Sequence, residues 1–532
     1  MAATVSNPRQ ETKSRTRKMR LWIVGLAFPI VIVVATGVWF IGTYWPYRYR
    51  TVQPLLESVF ASQVKIGNYH RIYFPHPGFM ATDITLRRNS APDLPPFGSV
   101  ASVTVQGTWH DLLLLRKRVR LVDVTGLHIV IPPPGSHASR EDFPPGSSAG
   151  FSGPSAVVGQ LSIHQSTLDI MRVNGSRYSF PIQLLIIRNL RKNEPLTYDV
   201  DMTNAKPGGR ILSKGSFGPL NPNNLGATPL SGDFTFAPVN LKDLGSIGGT
   251  LSSTGHFQGA LASIDANATE TTPDFAVGGG QPTPFAASIH CSVNGMNGDV
   301  VLDSIEAKTG ATTIHVKGSV VGSPKTIDVD IDVPGGRVQD VMRPFTHDKV
   351  PIAGLVWIHS HAHLDPARDG SKFLQRLSMD GAFNAPTERM TDPATEQKLS
   401  AFSQRAQGAK SPPSDPAAAR QDPASSADVL SSLSGQARIR NGVLSTQRIT
   451  LQIPGADIDL SGTFNLQDRT VNLTGDLRMQ TDISHAATGF KSILLKPLIP
   501  LFKKKNAGAV IPIAITGAPG SYKVTQNLAH QK

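Results

Sequence analysis

Residues 457–479, with the sequence DIDLSGTFNLQDRTVNLTGDLRM, carry the pattern that decides the fold class. Apolar and polar residues alternate on both sides of the short polar break at residues 467–470, with glycine at two of the apolar positions, Gly462 and Gly475. The apolar positions are Ile458, Leu460, Phe464, Leu466, Val471, Leu473, Leu477 and Met479. Because successive side chains of a strand point to opposite faces, this stretch predicts an antiparallel hairpin with one apolar and one polar face.

Similar alternation recurs at residues 119–131, 250–261, 313–320 and 327–333, and residues 508–517 read as a final strand. Charged residues are only 17% of the chain, while 48 glycines and 41 prolines provide frequent turns. The pattern predicts about 20–25 short strands, each burying its apolar face against its neighbours. We therefore expect a mainly β protein, with an elongated, curved, antiparallel-rich sheet that forms a groove, and only a few short helices.

The N-terminal region has a different composition. Residues 21–45 contain no charge, and a helix of this length rises ~1.5 Å per residue to roughly 37 Å, enough to cross a ~30 Å hydrocarbon core. Six Lys and Arg residues precede it within residues 1–20, which favours a cytoplasmic tail. Trp45 and Tyr47 at its end are candidates for the membrane interface. A cleaved signal peptide or a buried core helix is the competing interpretation.

A second cationic and apolar segment lies near the C-terminus, at residues 489–505. Pro497 and Pro500 prevent one straight helix there. The segment is either a bent amphipathic cap on the end of the sheet, or an element that contacts the membrane interface or a partner protein. Its interface candidates are Phe490, Leu494, Leu498, Phe502, Lys503, Lys504 and Lys505.

The net charge of +13 is concentrated at these two ends, so the long middle is close to neutral. A nucleic-acid-binding protein needs cations spread along one face, and this chain instead places them beside apolar stretches. The distribution favours anionic lipid as a partner and argues against nucleic acid.

The composition divides the chain into consecutive regions, with a short helix at residues 54–63 and another at residues 393–407. Residues 271–284 are expected to form a loop within the repetitive strands. The predicted regions are a basic tail (1–20), a transmembrane helix (21–45), an N-terminal β-region (46–131), a Pro/Gly/Ser loop (132–154), a repetitive β-region (155–390), a short helix with a linker (391–430) and a C-terminal β-region (431–532).

The motif most suggestive of chemistry is His359-Ser-His361-Ala-His363, which would present three imidazoles on one face of a strand. Ligands of one zinc ion must approach it to ~2.1 Å, whereas alternate residues of a strand stand ~6.6 Å apart. A polar strand face is therefore favoured over a metal site. The only cysteine is Cys291, so no intramolecular disulfide forms. We predict no enzymatic activity, no catalytic residues and no cofactor.

Several segments together resemble the AsmA family of bacterial proteins. They are residues 52–67 and 77–86 near the N-terminus, and residues 373–383, 435–444 and 510–517 towards the C-terminus. The resemblance implies an inner-membrane anchor with a cytoplasmic N-terminus, a periplasmic β-structure, and a relationship to bridge-like lipid-transfer proteins.

The sequence thus leads to a functional hypothesis. The apolar strand positions of residues 457–479 would line a groove that binds or conducts phospholipid acyl chains, in support of lipid transport to the outer membrane and of its assembly. The alternative is a non-transporting periplasmic scaffold that assists outer-membrane protein assembly, with an inner- or outer-membrane protein as a further partner. Alternation alone leaves both open, because an open groove and a sealed core give the same pattern.

Overall fold

The computed structural model describes residues 62–88, 96–133, 157–221, 224–407, 429–480 and 510–526, with short internal gaps, together with Tyr49, Gln53 and Ser136. This part is 69% strand. It divides into a first unit, Met1–Thr272 with Ser288–Val301, and a second unit, Pro273–Ala287 with Leu302–Lys532. The predicted class, a mainly β protein with antiparallel-rich pairing and a few short helices, is confirmed.

The first unit is built from strands that pair mostly with their neighbours in sequence. One short helix, α1 (Trp109–Leu113), and two 3₁₀ turns, Leu225–Ala227 and Leu241–Leu244, interrupt them. The strands are β1 (Ser62–Lys65), β2 (Asn68–Ile72), β3 (Gly78–Arg88), β4 (Gly98–Gln106), β5 (Arg118–Ile131), β6 (Val157–Met171), β7 (Arg177–Leu190), β8 (Leu196–Ala205), β9 (Gly208–Phe217), β10 (Pro229–Asn240), β11 (Ile247–Gly248) and β12 (Thr250–Ala260).

The apolar face of β1–β7 forms a closed core. Its largest fully buried side chains include Leu86, Leu161 and Ile163, and they belong to one continuous cluster that extends from Val64 to Leu190. Strands β5 and β6 pair in parallel, with Val122 beside Leu161. Because both strands place β-branched or leucine side chains on the same face, this pairing contributes many members of the core.

The second unit continues with antiparallel strands. Strands β13 (Ser263–Val277), β14 (Thr283–Asn294) and β15 (Asp299–Thr309) have residues in both units. The remaining strands are β16 (Thr312–Val321), β17 (Thr326–Arg337), β18 (Ile352–Leu364), β19 (Leu377–Met390), β20 (Ser431–Arg440), β21 (Val443–Ile453), β22 (Ala456–Asn465), β23 (Val471–Met479), β24 (Val510–Gly517) and β25 (Lys523–Gln526). The helical segments are α2 (Val338–Met342), the 3₁₀ turn Arg343–Phe345, α3 (Phe373–Arg376) and α4 (Pro393–Ala406).

The hairpin predicted from residues 457–479 is confirmed as β22 and β23, paired antiparallel from Ala456↔Met479 to Phe464↔Val471. Gly475 lies opposite Leu460, and a Cβ at this glycine would fall 1.8 Å from the Asp459 carbonyl oxygen. The missing side chain therefore lets the two backbones approach closely within the hairpin.

The helix predicted at residues 393–407 is present as α4. Leu399 and Phe402 pack against a cluster that contains Ile453, Ala456 and Met479. The helix therefore covers one end of the apolar face of β21–β24.

Two predicted boundaries were wrong. The predicted end of the helix at residue 63 is wrong, because Ser62 and Gln63 belong to β1. There they pair with Arg88 and Arg87 of β3. The loop expected at residues 271–284 shortens to residues 278–282, because β13 continues to Val277 and β14 begins at Thr283.

Other predictions fall outside the described residues. They concern the basic tail 1–20, the span 21–45, most of the loop 132–154, the linker 408–426 and the segment 489–505, together with the interface candidates Trp45, Tyr47, Phe490, Leu494, Leu498, Phe502, Lys503, Lys504 and Lys505. Within the described ranges, none of the helices combines the length and the apolar character that crossing a membrane requires.

The two units are expected to respond differently to truncation of an apolar side chain. Leu161 is fully buried, whereas Leu473 in β23 is only half-buried. We expect Leu161→Ala to lower the free energy of unfolding by about 2–5 kcal/mol, and Leu473→Ala by about 1 kcal/mol. Urea unfolding of the two full-length variants measures both values. An equal loss would indicate that Leu473 is packed as tightly as Leu161.

Candidate functional site

The polar face of the second unit carries rows of opposite charges across neighbouring strands. One row runs Lys317, Asp330, His361, Asp380 and Arg438 through β16–β20. The His361 Nδ1 atom lies 2.8 Å from Asp330 Oδ1, and Asp380 accepts a hydrogen bond from Arg438. Alternating signs along a row stabilise one register, because a slip by one residue would move every charge to the apolar face.

The three histidines of the sequence motif all lie on this polar face, and each faces an aspartate of β17. His363 Nδ1 is 3.0 Å from Asp328 Oδ2, and His359 Nδ1 is 3.7 Å from Asp332 Oδ1. Each imidazole therefore has a cross-strand carboxylate as its nearest partner. Across the described residues, no group of three or more His, Cys, Asp and Glu side chains is arranged to hold a metal ion.

The opposite, apolar face contains the predicted groove residues, and the structure separates them into two sets. Met479 is buried, and Leu477 packs against the cluster beneath α4. The others are half-buried and lie outside that cluster; they are Ile458, Leu460, Phe464, Leu466, Val471 and Leu473. An apolar surface thus continues from β21 to β24, partly open to solvent.

A cavity of about 290 Å³ lies on the same unit, beside this surface. Its walls come from α2, β18, β19, β20 and β21, and Ser360 is the one residue of this lining with a polar side chain. Leu444 lines the cavity and pairs with Phe464, so β21 links the cavity to the predicted groove strands. The volume is close to the ~300 Å³ lower bound of ligand pockets, and about twice that of an engineered ~150 Å³ cavity that binds benzene.

The register of the strands explains why space exists there. Ser360, Gly381 and Ala437 lie side by side on β18, β19 and β20. Larger side chains flank this row of small ones, with Met379 on one side and Phe383 on the other. Three adjacent small residues between bulky rows leave a trough that the sheet itself does not fill.

Helix α2 forms the remaining wall. Asp340 within it is buried, and its Oδ2 atom accepts hydrogen bonds from the Ala311 amide at 2.9 Å and from Thr312 Oγ1 at 3.1 Å. These bonds tie the short helix to the turn between β15 and β16, and so fix the positions of Val341 and Met342 over the trough.

Ser360 is an unusual residue at the floor of this cavity. It is 1% exposed, and its hydroxyl has no hydrogen-bond partner in the described part of the chain. A buried hydroxyl without a partner costs about 1–3 kcal/mol. A ligand that carries an oxygen or nitrogen acceptor would satisfy this hydroxyl.

Glu388 lies on the same face of β19, beyond Ala385. It is 1% exposed, and neither carboxyl oxygen has a hydrogen-bond partner among the residues that the structure describes. Removal from water raises the pKa of the Glu388 carboxyl above its ordinary value. The neutral acid is thus favoured beside the apolar row.

The groove residues predicted from the sequence lie on or beside β22 and β23, and the cavity was not predicted. A usable signal was present in β18, where Ser360 interrupts the apolar phase between Ile358 and Ala362. The burial of Glu388 could not be predicted from alternation, because a bulge between Ala385 and Glu388 shifts the phase of β19.

Comparison with known proteins found no match for this chain, either among protein-family models or among curated proteins. The resemblance to the AsmA family therefore stays a prediction from the sequence.

The His361–Asp330 pair predicts a pH-dependent contribution to stability. The hydrogen bond to Asp330 and the nearby Asp328 carboxylate raise the pKa of His361. A raised folded-state pKa gives stabilisation that is complete below the unfolded histidine pKa of about 6.5, and is lost as the pH rises through the folded value. We expect wild type to exceed His361→Asn in melting temperature at acidic pH, and this difference to vanish at alkaline pH.

NMR titration of the imidazole measures the same effect directly. Asp330→Asn should shift the His361 pKa towards the ordinary histidine value, while Asp332→Asn, which faces His359, should shift it less. A His361 pKa at or below that of a free histidine would contradict this interpretation.

The raised pKa of Glu388 predicts a contribution to stability that becomes unfavourable as the pH rises. Because its folded-state pKa is raised, the unfolded state loses the proton first as the pH increases, and this carboxyl destabilises the fold above the ordinary glutamate pKa of about 4.3. We expect Glu388→Gln to raise the melting temperature at alkaline pH and to have a smaller effect at acidic pH. Glu396→Gln is the control, and should be destabilising, because Glu396 accepts hydrogen bonds from the Met390 and Val429 amides. A Glu388→Gln variant less stable than wild type at alkaline pH would refute the assignment.

Proposed function

We propose that the second unit binds the acyl chains of phospholipids, and that the chain supports lipid transport to the bacterial outer membrane and assembly of that membrane. The observation that carries this proposal is the apolar cavity bordered by Ser360, which adjoins a half-buried apolar surface on β21–β24. A surface of this kind can hold a hydrocarbon chain that would otherwise be exposed to water.

Burial of the acyl chain, rather than contact with the headgroup, would stabilise the bound lipid. Each methylene transferred from water to an apolar environment is stabilised by about 0.8 kcal/mol. An acyl segment of several methylenes in the cavity therefore gains several kcal/mol. An ester carbonyl within reach of Ser360 would accept a hydrogen bond from its hydroxyl and so remove the free-energy cost of the unsatisfied group.

The polar face supports the same interpretation. Salt bridges such as Arg448–Asp459 and Arg478–Asp459 occupy the face opposite the apolar surface. Water can thus contact one face of β20–β23 while an acyl chain occupies the other. This activity requires no nucleophile, metal ion or nucleotide.

A specific observation favours the scaffold alternative for the first unit. Its apolar face is sealed, with Val122, Leu161 and Ile163 fully buried in a continuous core. We propose that the first unit is a structural support and that the acyl chains bind to the second unit. The membrane span at residues 21–45, the periplasmic location, the AsmA relationship and the contact of residues 489–505 with lipid or a partner protein belong to the same proposal.

Filling the trough tests acyl-chain binding. Ala437→Trp replaces the small side chain opposite Gly381 with an indole, and we expect a loss of at least about tenfold in affinity for a fluorescent phospholipid, since a filled cavity excludes the chain. Displacement titration of the delipidated full-length protein measures the affinity. The matched control is Gln436→Trp, the adjacent exposed position on the polar face.

The control also separates binding from unfolding. Circular dichroism of both variants should retain the strand signal, while only Gln436→Trp retains binding. Equal binding by the two variants would show that the acyl chain does not occupy this cavity.

A further inference from the structure

One end of the first unit combines exposed aromatic and apolar side chains with arginines. The β2–β3 turn, residues 73–77, lies at the end where β4 finishes, because Gly78 pairs with Gln106. Helix α1 follows β4 directly, and β5 starts from the same end at Arg118. The turn, the helix and the start of β5 therefore share one edge of the unit.

Large apolar side chains protrude from this edge. Phe74 is 86% exposed and Tyr73 is 63% exposed. Trp109, the first residue of α1, and Leu114, which directly follows α1, are also exposed. Four such side chains on two adjacent segments form an apolar patch of the type that marks a membrane or protein contact.

The segments that carry the patch are held in place. The Gly107 amide donates to the Pro77 carbonyl at 2.8 Å, which joins the turn to the start of α1. Thr108 caps α1, since its Oγ1 atom accepts from the Asp111 amide at 3.1 Å. Arg120 contacts His76, which ties the turn to β5. The protruding rings thus stand on backbone that is fixed from several sides.

The patch is surrounded by positive charge. Arg71, Arg116, Arg118 and Arg120 are all exposed at this edge. The acid beside them, Asp111, accepts a hydrogen bond from Thr108 within α1. Aromatic side chains flanked by arginine are characteristic of surfaces that enter the headgroup layer of anionic bilayers.

We infer that this edge docks on an anionic bilayer surface, with Tyr73, Phe74, Trp109 and Leu114 inserted among the headgroups and the arginines paired with lipid phosphates. The position of the preceding chain supports a bilayer as the occupant. Tyr49, four residues after the predicted span, contacts Tyr69 at a ring-centroid distance of 5.8 Å, and Tyr69 lies on β2 only four residues before Tyr73. Tyr49 is therefore held at β2, the strand that leads into residues 73–77 of this edge.

Depth-dependent fluorescence quenching tests the inference on the full-length chain. Cys291→Ser removes the only cysteine, and Phe74→Cys then accepts an environment-sensitive fluorophore. The matched control is Leu244→Cys, an exposed apolar position on a 3₁₀ turn of the same unit. Each protein is reconstituted into vesicles whose phospholipids carry brominated acyl chains, made either of phosphatidylcholine alone or of equal parts phosphatidylcholine and phosphatidylglycerol.

We expect the label at position 74 to be quenched at least about twofold more than the label at position 244 in the anionic vesicles. Arg71→Gln combined with Arg118→Gln should remove this difference, while phospholipid binding at the cavity stays unchanged. Quenching at position 74 no stronger than at position 244, or protein that stays in solution with an unquenched label, would overturn the inference. Loss of cavity binding with quenching retained would instead count against the proposed acyl-chain site alone.

Discussion

The two-residue period of the β-strand is the constraint on which the rest of this structure depends. It assigns each side chain to one of two faces, and the cross-strand pairs then extend that assignment from strand to strand. On the polar face, the cross-strand pairs form the row Lys317–Asp330–His361–Asp380–Arg438. On the apolar face, the adjacent pairs form the row Ser360–Gly381–Ala437. Since charges stabilise the first row only in this register, the polar face also fixes the position of the cavity on the other face.

The same period has different results in the two units because the sizes of the side chains differ. In the first unit, Val122, Leu161 and Ile187 occupy neighbouring strands and interlock into a closed core. In the second unit, the row of serine, glycine and alanine cannot fill the space between Met379 and Phe383. Helix α2 bridges this space instead of filling it. Packing density, rather than the alternation of polar and apolar residues, therefore distinguishes a sealed core from a cavity.

The features that depend on local periodicity could be predicted from the sequence. The hairpin of β22 and β23, strand β24 and helix α4 follow from patterns within single segments, whereas strand β25 after β24 was not predicted. The cavity does not, because five separate elements contribute its walls. A bulge between Ala385 and Glu388 also shifts the phase of β19, so a strict alternation count assigns the later residues of that strand to the wrong face. The parallel pairing of β5 with β6 is similarly non-local, since about 25 residues separate the two strands.

Ser360 and Glu388 are buried polar residues on an otherwise apolar face of the sheet. An apolar residue of similar size would avoid the cost of about 1–3 kcal/mol that accompanies a buried group without a partner. The free energy of unfolding of a folded protein is only about 5–15 kcal/mol. Two such groups on one face therefore lower it by a considerable fraction. Both groups lie on β18 and β19, the strands that also form the floor of the cavity. A ligand with a polar group along its hydrocarbon chain would recover the cost at Ser360, which is why the hydroxyl supports occupancy of the cavity more strongly than its volume does.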